Sequence, residues 1–222
     1  MRKIVFKTIF ITLGVVLILA ISAFGILSFA APKTMMNFSA SLGLDAISGD
    51  YAYQEYRRSG DIEYLARAFE IAAFEGRSDA AAERFEELYE NEGFSDYCKA
   101  QDGVELGEDI PENNYRSYAC SLGASALYAV AETDDEKLEV YTFALSETSG
   151  EFEENNPLCS LALAASEAGD DAFCKTILEN MRKEQKFNAL RAQSAFEDES
   201  EYTEGYKLYL KTIELLEEAV NE

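Results

Sequence analysis

The chain begins with one long apolar run and then changes to a repeating pattern of apolar and polar residues. Residues 8–31 contain no charged side chain, and a helix rising about 1.5 Å per residue needs about 20 residues to cross a hydrocarbon core. After this run, apolar residues recur at intervals of three and four, as on one face of a helix. The pattern predicts an all-α protein, with an N-terminal transmembrane helix followed by helices almost throughout.

The bases around the apolar run predict its orientation. Three bases lie in residues 1–7, whereas Lys33 is the only base in the twenty residues after the run. Because basic flanks stay on the cytoplasmic side, we expect residues 1–7 in the cytoplasm and the rest of the chain outside it. A cleaved secretory signal is the alternative, since Ser28-Phe29-Ala30 offers the small residues that signal peptidase requires. Both alternatives place the following domain outside the cytoplasm.

Turn residues divide the remaining chain into helices. Residues 32–48 are predicted to form a stalk that continues the membrane helix, and residues 49–222 a domain of paired helices. Asp61 is a natural N-cap after the first turn, and Pro157 suits the first turn of a helix that follows Asn156. The predicted pairs occupy residues 51–76, 78–102, 114–148, 156–185 and 186–220. A polar loop over residues 102–113 separates the second pair from the third.

The turns within the pairs recur at a nearly constant interval. They lie about 36 residues apart, at Gly60-Asp61, Ser95-Asp96, Thr133-Asp134 and Gly169-Asp170. A helix pair that repeats in this way resembles the tetratricopeptide repeat family. The positions that match best are Tyr56, Gly60, Asp61, Phe69 and Ala72 in one repeat, and Ala165, Gly169, Asp170 and Leu178 in another. Leu65 and Cys174 depart from the family, which usually has alanine there, and its Trp-Leu-Gly start is missing.

Paired helices joined by short turns pack antiparallel and need neighbours to bury their apolar faces. Successive pairs are therefore expected to stack into a tetratricopeptide-like αα-hairpin solenoid or to form a compact helical bundle. The predicted core runs through Phe69, Phe85, Leu88, Leu122, Leu127, Phe143, Leu161, Leu178 and Leu215.

Charge narrows the range of partners. The residues beyond 31 carry all 42 acids and 16 of the 19 bases, a net charge of −26. Such a field repels nucleic acid and anionic lipid headgroups. The acidic surface either serves ordinary solvation or attracts a cation-rich partner.

The sequence lacks the common sets of catalytic and metal-binding residues. It has no histidine, no Gly-rich phosphate loop and no closely spaced cysteine pair, so no catalytic residue, cofactor or metal ligand is predicted. Cys98, Cys120, Cys159 and Cys174 are expected to be buried free thiols; because export permits disulfides, a bridge between Cys98 and Cys120 is the alternative. The acidic residues between 102 and 112 form either a solvated loop or a cation site.

Two classes of function remain. The first is a membrane-anchored, extracytoplasmic protein–protein interaction module without catalytic activity, whose partner is another membrane or exported protein. The alternative is an enzyme or accessory factor that processes cell-envelope polymers by Asp/Glu acid–base chemistry. Candidate partner-binding residues are Tyr51, Tyr53, Arg57, Arg58, Tyr115, Tyr118 and Tyr128. Core packing of the tyrosines and surface ion pairs of the arginines are the competing roles.

Overall fold

The computed structural model describes residues 2–102, 114–148, 155–183 and 204–221, and every regular element in these ranges is an α-helix. The helices are α1 (Arg2–Ala30), α2 (Pro32–Ser41), α3 (Asp45–Ser59), α4 (Ile62–Phe74), α5 (Ser78–Tyr89), α6 (Phe94–Gln101), α7 (Tyr115–Val130), α8 (Asp134–Glu147), α9 (Pro157–Glu167), α10 (Asp171–Lys183) and α11 (Glu204–Asn221). The all-α prediction is confirmed for this part of the chain. The chain divides into two compact units, unit 1 (residues 1–71) and unit 2 (residues 72–222).

Unit 1 contains the apolar N-terminal helix. The segment Thr12–Ala30 of α1 is 19 residues long, and it is the one helix in the described residues that is long and apolar enough to span a membrane. Its described large apolar side chains are exposed, as contact with lipid requires. The helix ends at Ala30, and Pro32 begins α2, where its missing N–H costs no helical hydrogen bond.

The residues expected to form a stalk contain a helical hairpin. They comprise α2, a turn at Gly43 with a φ of +68°, and the start of α3, which begins six residues before the predicted helix at residue 51. Helix α2 packs on α3, and the two bury Met35, Met36 and Tyr51 between them.

Unit 2 is organised around α7. Helices α5, α6, α8 and α9 pack on α7, while α9, α10 and α11 pack on one another. Five residues of the predicted core are buried: Phe69 in unit 1, and Phe85, Leu88, Leu161 and Leu178 in unit 2. Leu122, Leu127, Phe143 and Leu215 are half-buried, and Leu216 takes the fully buried position in α11.

The helix ends follow local side-chain chemistry. Asp61 accepts a hydrogen bond from the Glu63 N–H at 3.1 Å, and Asn156 caps the helix that Pro157 begins, so both predictions are confirmed. Ser78 is the first residue of α5, and Arg77, which holds the N-cap position before it, makes no side-chain capping bond.

The predicted turn at Ser95-Asp96 is wrong. These residues lie inside α6, and the chain turns at residues 90–93 instead. The reason is local, because the Asn91 side chain accepts a hydrogen bond from the Gly93 N–H at 2.9 Å and thereby holds the turn. The first helix of the predicted fifth pair, residues 186–200, lies outside the described residues.

Candidate functional site

A surface cleft of about 480 Å³ lies in unit 2 between α5, the C-terminal end of α7, and α8. Its floor is apolar and is formed by Phe85, Tyr89, Leu127, Val130, Ala131, Val140 and Phe143. Its rim carries four glutamates, Glu86, Glu90, Glu136 and Glu139, and no basic side chain lines it among the residues that the structure describes. The site thus joins an apolar surface to a negative border.

Aromatic contacts hold the floor. The Phe85 ring is 1% exposed and meets the Phe143 ring edge-on, with centroids 5.5 Å apart. The Tyr89 ring is nearly perpendicular to the same Phe143 ring, with ring centroids 5.3 Å apart. Such edge-to-face pairs each contribute about 0.5–1.5 kcal/mol beyond area burial. The floor is therefore fixed before anything binds to it.

Gly123 sets how deeply Phe85 enters α7. A Cβ atom at Gly123 would lie 2.4 Å from the Phe85 ring, far inside van der Waals contact. Glycine is thus required here for the close approach of α5 to α7, since the ring occupies the space of the missing side chain. The depth of the cleft floor follows from this packing.

The rim glutamates have different surroundings. Glu136 completes a capping box at the start of α8: it accepts hydrogen bonds from the Thr133 N–H at 2.9 Å and the Glu132 N–H at 2.8 Å. These backbone hydrogen bonds, with that of Thr133 the strongest influence, lower the pKa of Glu136. Glu86, Glu90 and Glu139 are exposed, so their carboxylates are accessible to a cationic group.

A polar cluster supports the cleft from behind. Glu147 receives two hydrogen bonds from Arg116, at 2.7 and 2.9 Å, and one from the Tyr89 hydroxyl at 2.8 Å. The Cys120 thiol also points at Glu147, with a sulfur–oxygen distance of 3.6 Å. The Arg116 guanidinium lies 5.5 Å from the Tyr89 ring centroid and 5.4 Å from that of Phe94. Tyr89 therefore belongs both to the cleft floor and to this Glu147 cluster.

The Glu147 cluster shifts the pKa values of its members. Burial opposes ionisation of Glu147, but the hydrogen bonds from Arg116 and Tyr89 outweigh it and hold the pKa of this carboxyl below its usual value. Burial, followed by the hydrogen bond to Glu147, raises the pKa of Tyr89 to about 12. Burial is also the main reason why the pKa of the Cys120 thiol is raised. The carboxylate is therefore ionised while the phenol and thiol remain protonated at neutral pH.

A second polar cluster joins α7, α8 and α10. Asp170 forms an ion pair with Lys137, accepts a hydrogen bond from the Tyr128 hydroxyl at 3.0 Å, and caps α10 through the Phe173 N–H at 3.2 Å. The Tyr128 and Phe173 rings stack with centroids 5.5 Å apart, and the Lys137 ammonium lies 5.7 Å from the Tyr128 ring centroid. This cluster has the geometry of a structural brace.

Asp170 should contribute to stability in a pH-dependent way. Burial opposes its ionisation, but the hydrogen bond from Lys137 dominates the remaining effects and holds its pKa below the ordinary 3.8. Asp170→Asn should lower the free energy of unfolding by about 1–2 kcal/mol at pH 7. Because the folded-state pKa is depressed, this difference is complete above the ordinary value and disappears as the pH falls through the folded pKa. Urea unfolding of both proteins across this range measures it.

Asp171→Asn is the matched control for that experiment. Asp171 is exposed and also lies in the first turn of α10. Its replacement therefore removes a charge that interacts with the helix dipole but leaves the contacts of Asp170 with Lys137 and Tyr128 in place. We expect a loss below about 0.5 kcal/mol. Equal losses for the two variants would show that the contacts of Asp170 with Lys137 and Tyr128 add nothing.

The partner-binding residues predicted from sequence lie in both units. Tyr51, Tyr53, Arg57 and Arg58 belong to unit 1, while Tyr115, Tyr118 and Tyr128 belong to unit 2. Tyr51, Tyr115 and Tyr128 are buried, whereas Tyr53 and Tyr118 are half-buried and the arginines exposed. None of the seven lines the cleft, and their role in partner binding stays a prediction.

Each of the unit 1 candidates has a local contact. The Tyr51 hydroxyl hydrogen-bonds with that of Ser28 at 2.7 Å, and Arg58 donates to the Ala30 carbonyl at 2.8 Å. Arg57 lies 5.9 Å from the Tyr53 ring centroid. These contacts order α3 next to the end of α1.

The cleft itself was missed by sequence reasoning, although α5 carries a signal for it. Phe85 and Tyr89 are four residues apart, and so are Glu86 and Glu90, which places an aromatic stripe beside an acidic one on the same helix. The pattern indicates a boundary between apolar and acidic surface. It does not reveal which other helices complete the site.

The remaining sequence candidates concern cysteines and metals. All four cysteines are buried free thiols, as their apolar surroundings predicted, and burial raises the pKa of Cys98 to about 11. Residues 103–112 of the acidic loop lie outside the described residues, and Asp102 accepts a hydrogen bond from the Tyr115 N–H at 2.8 Å. Within the described ranges, no group of three or more Cys, Asp or Glu side chains is placed to hold a metal ion.

Comparisons of the chain with protein-family models, with curated proteins and with solved structures found no significant match. The fold and the site define an all-α protein that has one N-terminal helix apolar enough to span a membrane, and an apolar cleft with an acidic rim. Its helices are compatible with a helical repeat, and the resemblance to the tetratricopeptide family stays a prediction.

Proposed function

We propose that the protein is a membrane-anchored, extracytoplasmic interaction module whose cleft binds a basic, apolar segment of another membrane or exported protein. The observation that carries this proposal is the combination of an aromatic floor with a rim of four glutamates. A segment with Leu or Phe on one face and Lys or Arg beside it complements both features. The tetratricopeptide-like solenoid belongs to the same proposal, supported by the packing of α5 on α7 and of α7 on α9.

The apolar floor supplies the binding energy in this proposal. Burial of apolar surface contributes about 25 cal/mol per Å², and binding energy concentrates in a few anchors that fill well-packed pockets. The cleft volume of about 480 Å³ lies within the range of about 300–1,000 Å³ that is typical of ligand pockets. Since Phe85, Tyr89 and Phe143 already hold one another, binding has little ordering cost at the floor.

The rim supplies selectivity. Glutamates at the border of an interface accelerate association with a basic partner and disfavour an acidic one. All four rim glutamates are exposed, and the surrounding chain is strongly acidic, so a basic segment is attracted before it makes contact.

The position of these glutamates favours binding over catalysis. An Asp/Glu polymer-processing enzyme needs two carboxylates aimed at one bond from either side of its substrate. Glu86, Glu90 and Glu139 are instead exposed at the border, and Glu136 is engaged by backbone N–H groups of its own capping box.

Charge reversal at the rim tests the proposal. The probes are a synthetic amphipathic helix of Leu, Phe and Lys, and the same peptide with Glu in place of each Lys; their binding to the full chain in nanodiscs is followed by fluorescence polarisation. The double variant Glu86→Lys/Glu139→Lys should weaken binding of the basic peptide by about tenfold or more at low salt, because it reverses the local field. The acidic peptide should bind the unmodified protein weakly.

The double variant Glu167→Lys/Glu179→Lys is the matched control. It changes the net charge of the chain by the same amount, but its two exposed residues lie on α9 and α10, outside the cleft. We expect less than about a twofold change in affinity, since distant exposed charges are screened. Equal weakening by both double variants would mean that the peptide recognises only overall charge, and the cleft would lose its assigned role.

A further inference from the structure

The first part of the chain contains no acidic residue, and this acid-free part extends well past the end of the apolar helix. The sequence contains no acid before Asp45, although 42 acids follow from that position onward. The acid-free part therefore includes all of α2 and the α2–α3 turn, which together follow α1. Acids are costly at a lipid surface because the carboxylate must lose water and meets anionic headgroups.

The same region exposes large apolar side chains. Phe38 in α2 is 53% exposed, and Leu42, Leu44 and Ile47 around the turn are between 44% and 57% exposed. We call these four residues the hairpin tip. The run from Thr34 to Leu44 carries no charge and ends in exposed leucines. The longer charge-free runs 117–131 and 155–166 instead belong to α7 and α9, whose residues are mostly buried or half-buried. Clustered exposed apolar residues mark an interaction surface.

The contacts of α3 fix the position of the hairpin tip relative to α1. Tyr51 hydrogen-bonds to Ser28, whereas Arg58, further along α3, bonds to Ala30 at the very end of α1. Both contacts fall within the last three residues of α1, so α3 crosses the end of the apolar segment, with Tyr51 in its N-terminal half at Ser28 and Arg58 near its C-terminal end at Ala30. The hairpin tip, where α3 begins, is thus tied close to the end of α1.

The length of the apolar segment indicates how deep Ser28 and Ala30 lie in the bilayer. The 19 residues of Thr12–Ala30 extend over about 28 Å at about 1.5 Å per residue, close to the thickness of a hydrocarbon core of about 30 Å. Ser28 and Ala30 therefore come at the boundary between acyl chains and headgroups if α1 spans. Tyrosine and arginine, the side chains that reach them, are suited to this interfacial zone because each has an apolar body and a polar end.

We propose that the hairpin tip inserts into the interfacial zone of the bilayer that α1 crosses, so that α2 and the start of α3 rest on the outer leaflet. This inference rests on the proposed membrane insertion of α1. Its driving force is burial of the four apolar side chains among lipid headgroups and upper acyl chains, so it needs no anionic lipid.

Tryptophan fluorescence tests the inference, because the chain contains no tryptophan. Four single variants of the full chain are reconstituted into liposomes with or without lipids brominated near the headgroup end of the acyl chain. Leu44→Trp and Phe38→Trp report on the hairpin tip, and Val16→Trp reports on the span, with lipids brominated near the bilayer centre as its quencher. Leu163→Trp, at a 47% exposed position of α9, is the matched control.

We expect brominated lipid to quench both tip variants about threefold or more strongly than Leu163→Trp, since interfacial segments bury their apolar face about 5–10 Å deep. Acrylamide, a quencher dissolved in the aqueous phase, should quench Leu163→Trp more strongly than the two tip variants. Quenching of Val16→Trp with tip variants that behave like Leu163→Trp would overturn the inference and leave the anchor intact. Tip variants shielded from acrylamide but not quenched by lipid would also overturn it, in favour of a protein contact. Failure of lipid to quench Val16→Trp would overturn the anchor and the inference together.

Discussion

Replacing Glu147 with glutamine should lower the free energy of unfolding by about 2–3 kcal/mol. The carboxylate side chain is only 12% exposed and accepts hydrogen bonds from Arg116 and Tyr89. Removing one partner of a buried ion pair costs about 3–5 kcal/mol, and the 39% exposure of the Arg116 side chain reduces this, because water can solvate the guanidinium that is left behind. Urea unfolding of the full chain in detergent, followed by circular dichroism, gives the difference.

The control for this measurement is Glu179→Gln. Glu179 is exposed on α10, and a surface substitution of this kind changes stability by no more than about 0.5 kcal/mol. The double variant Glu147→Leu/Arg116→Leu should recover much of the loss, since replacing both partners leaves no unpaired buried charge. A loss for Glu147→Gln no larger than that for Glu179→Gln would mean that the Glu147 cluster does not hold α5, α7 and α8 together.

The cluster also connects stability with the proposed binding site. The Tyr89 hydroxyl is bound to Glu147, while the Tyr89 ring forms part of the cleft floor. Glu147→Gln should therefore loosen the ring as well as destabilise the fold. A rigid support of this kind is what a preorganised interface requires.

The parts of the fold that depend on neighbouring residues could be predicted from the sequence. Pro32 separates α1 from α2, and Asn156 with Pro157 begins α9, because capping and proline chemistry act over a few residues. The three–four periodicity indicated the helices, and five of the nine core residues predicted from it are buried. In the last helix the periodicity indicated Leu215, but the packing against α9 and α10 buries Leu216, one position further along.

The candidate site depended on contacts between residues far apart in the sequence. Tyr89 and Glu147 are 58 residues apart. Nothing in the local sequence around either residue distinguishes it from the other tyrosines and glutamates of the chain. Composition indicated an acidic protein, but it did not indicate that four glutamates would border one apolar floor. Tertiary packing, which brings α5, α7 and α8 together, supplied that information.

Gly123 is the clearest example, because its role is invisible in the sequence and sets the floor of the cleft. In the middle of a helix, alanine would ordinarily be favoured over glycine by about 1 kcal/mol. Here a Cβ atom would stand 2.4 Å from the Phe85 ring, and that ring is buried and held by the edge contact with Phe143. Overpacking a well-packed core costs about 1–3 kcal/mol. Steric conflict is thus expected to exceed the gain in helix propensity.

Gly123→Ala should therefore lower the free energy of unfolding by about 1–2 kcal/mol, and it should also weaken binding of the basic peptide by displacing Phe85 in the cleft floor. A double-mutant cycle with Phe85→Leu separates these causes, measured by urea unfolding of the four proteins. Phe85→Leu removes the ring atoms that meet the new methyl group, so the double variant should be more stable than the sum of the single effects predicts. Strict additivity would show that Gly123 is needed for some other reason than the approach of Phe85. A Gly123→Ala protein as stable as the parent would show that α5 can move away from α7 without loss, and that the depth of the cleft is not fixed by this contact.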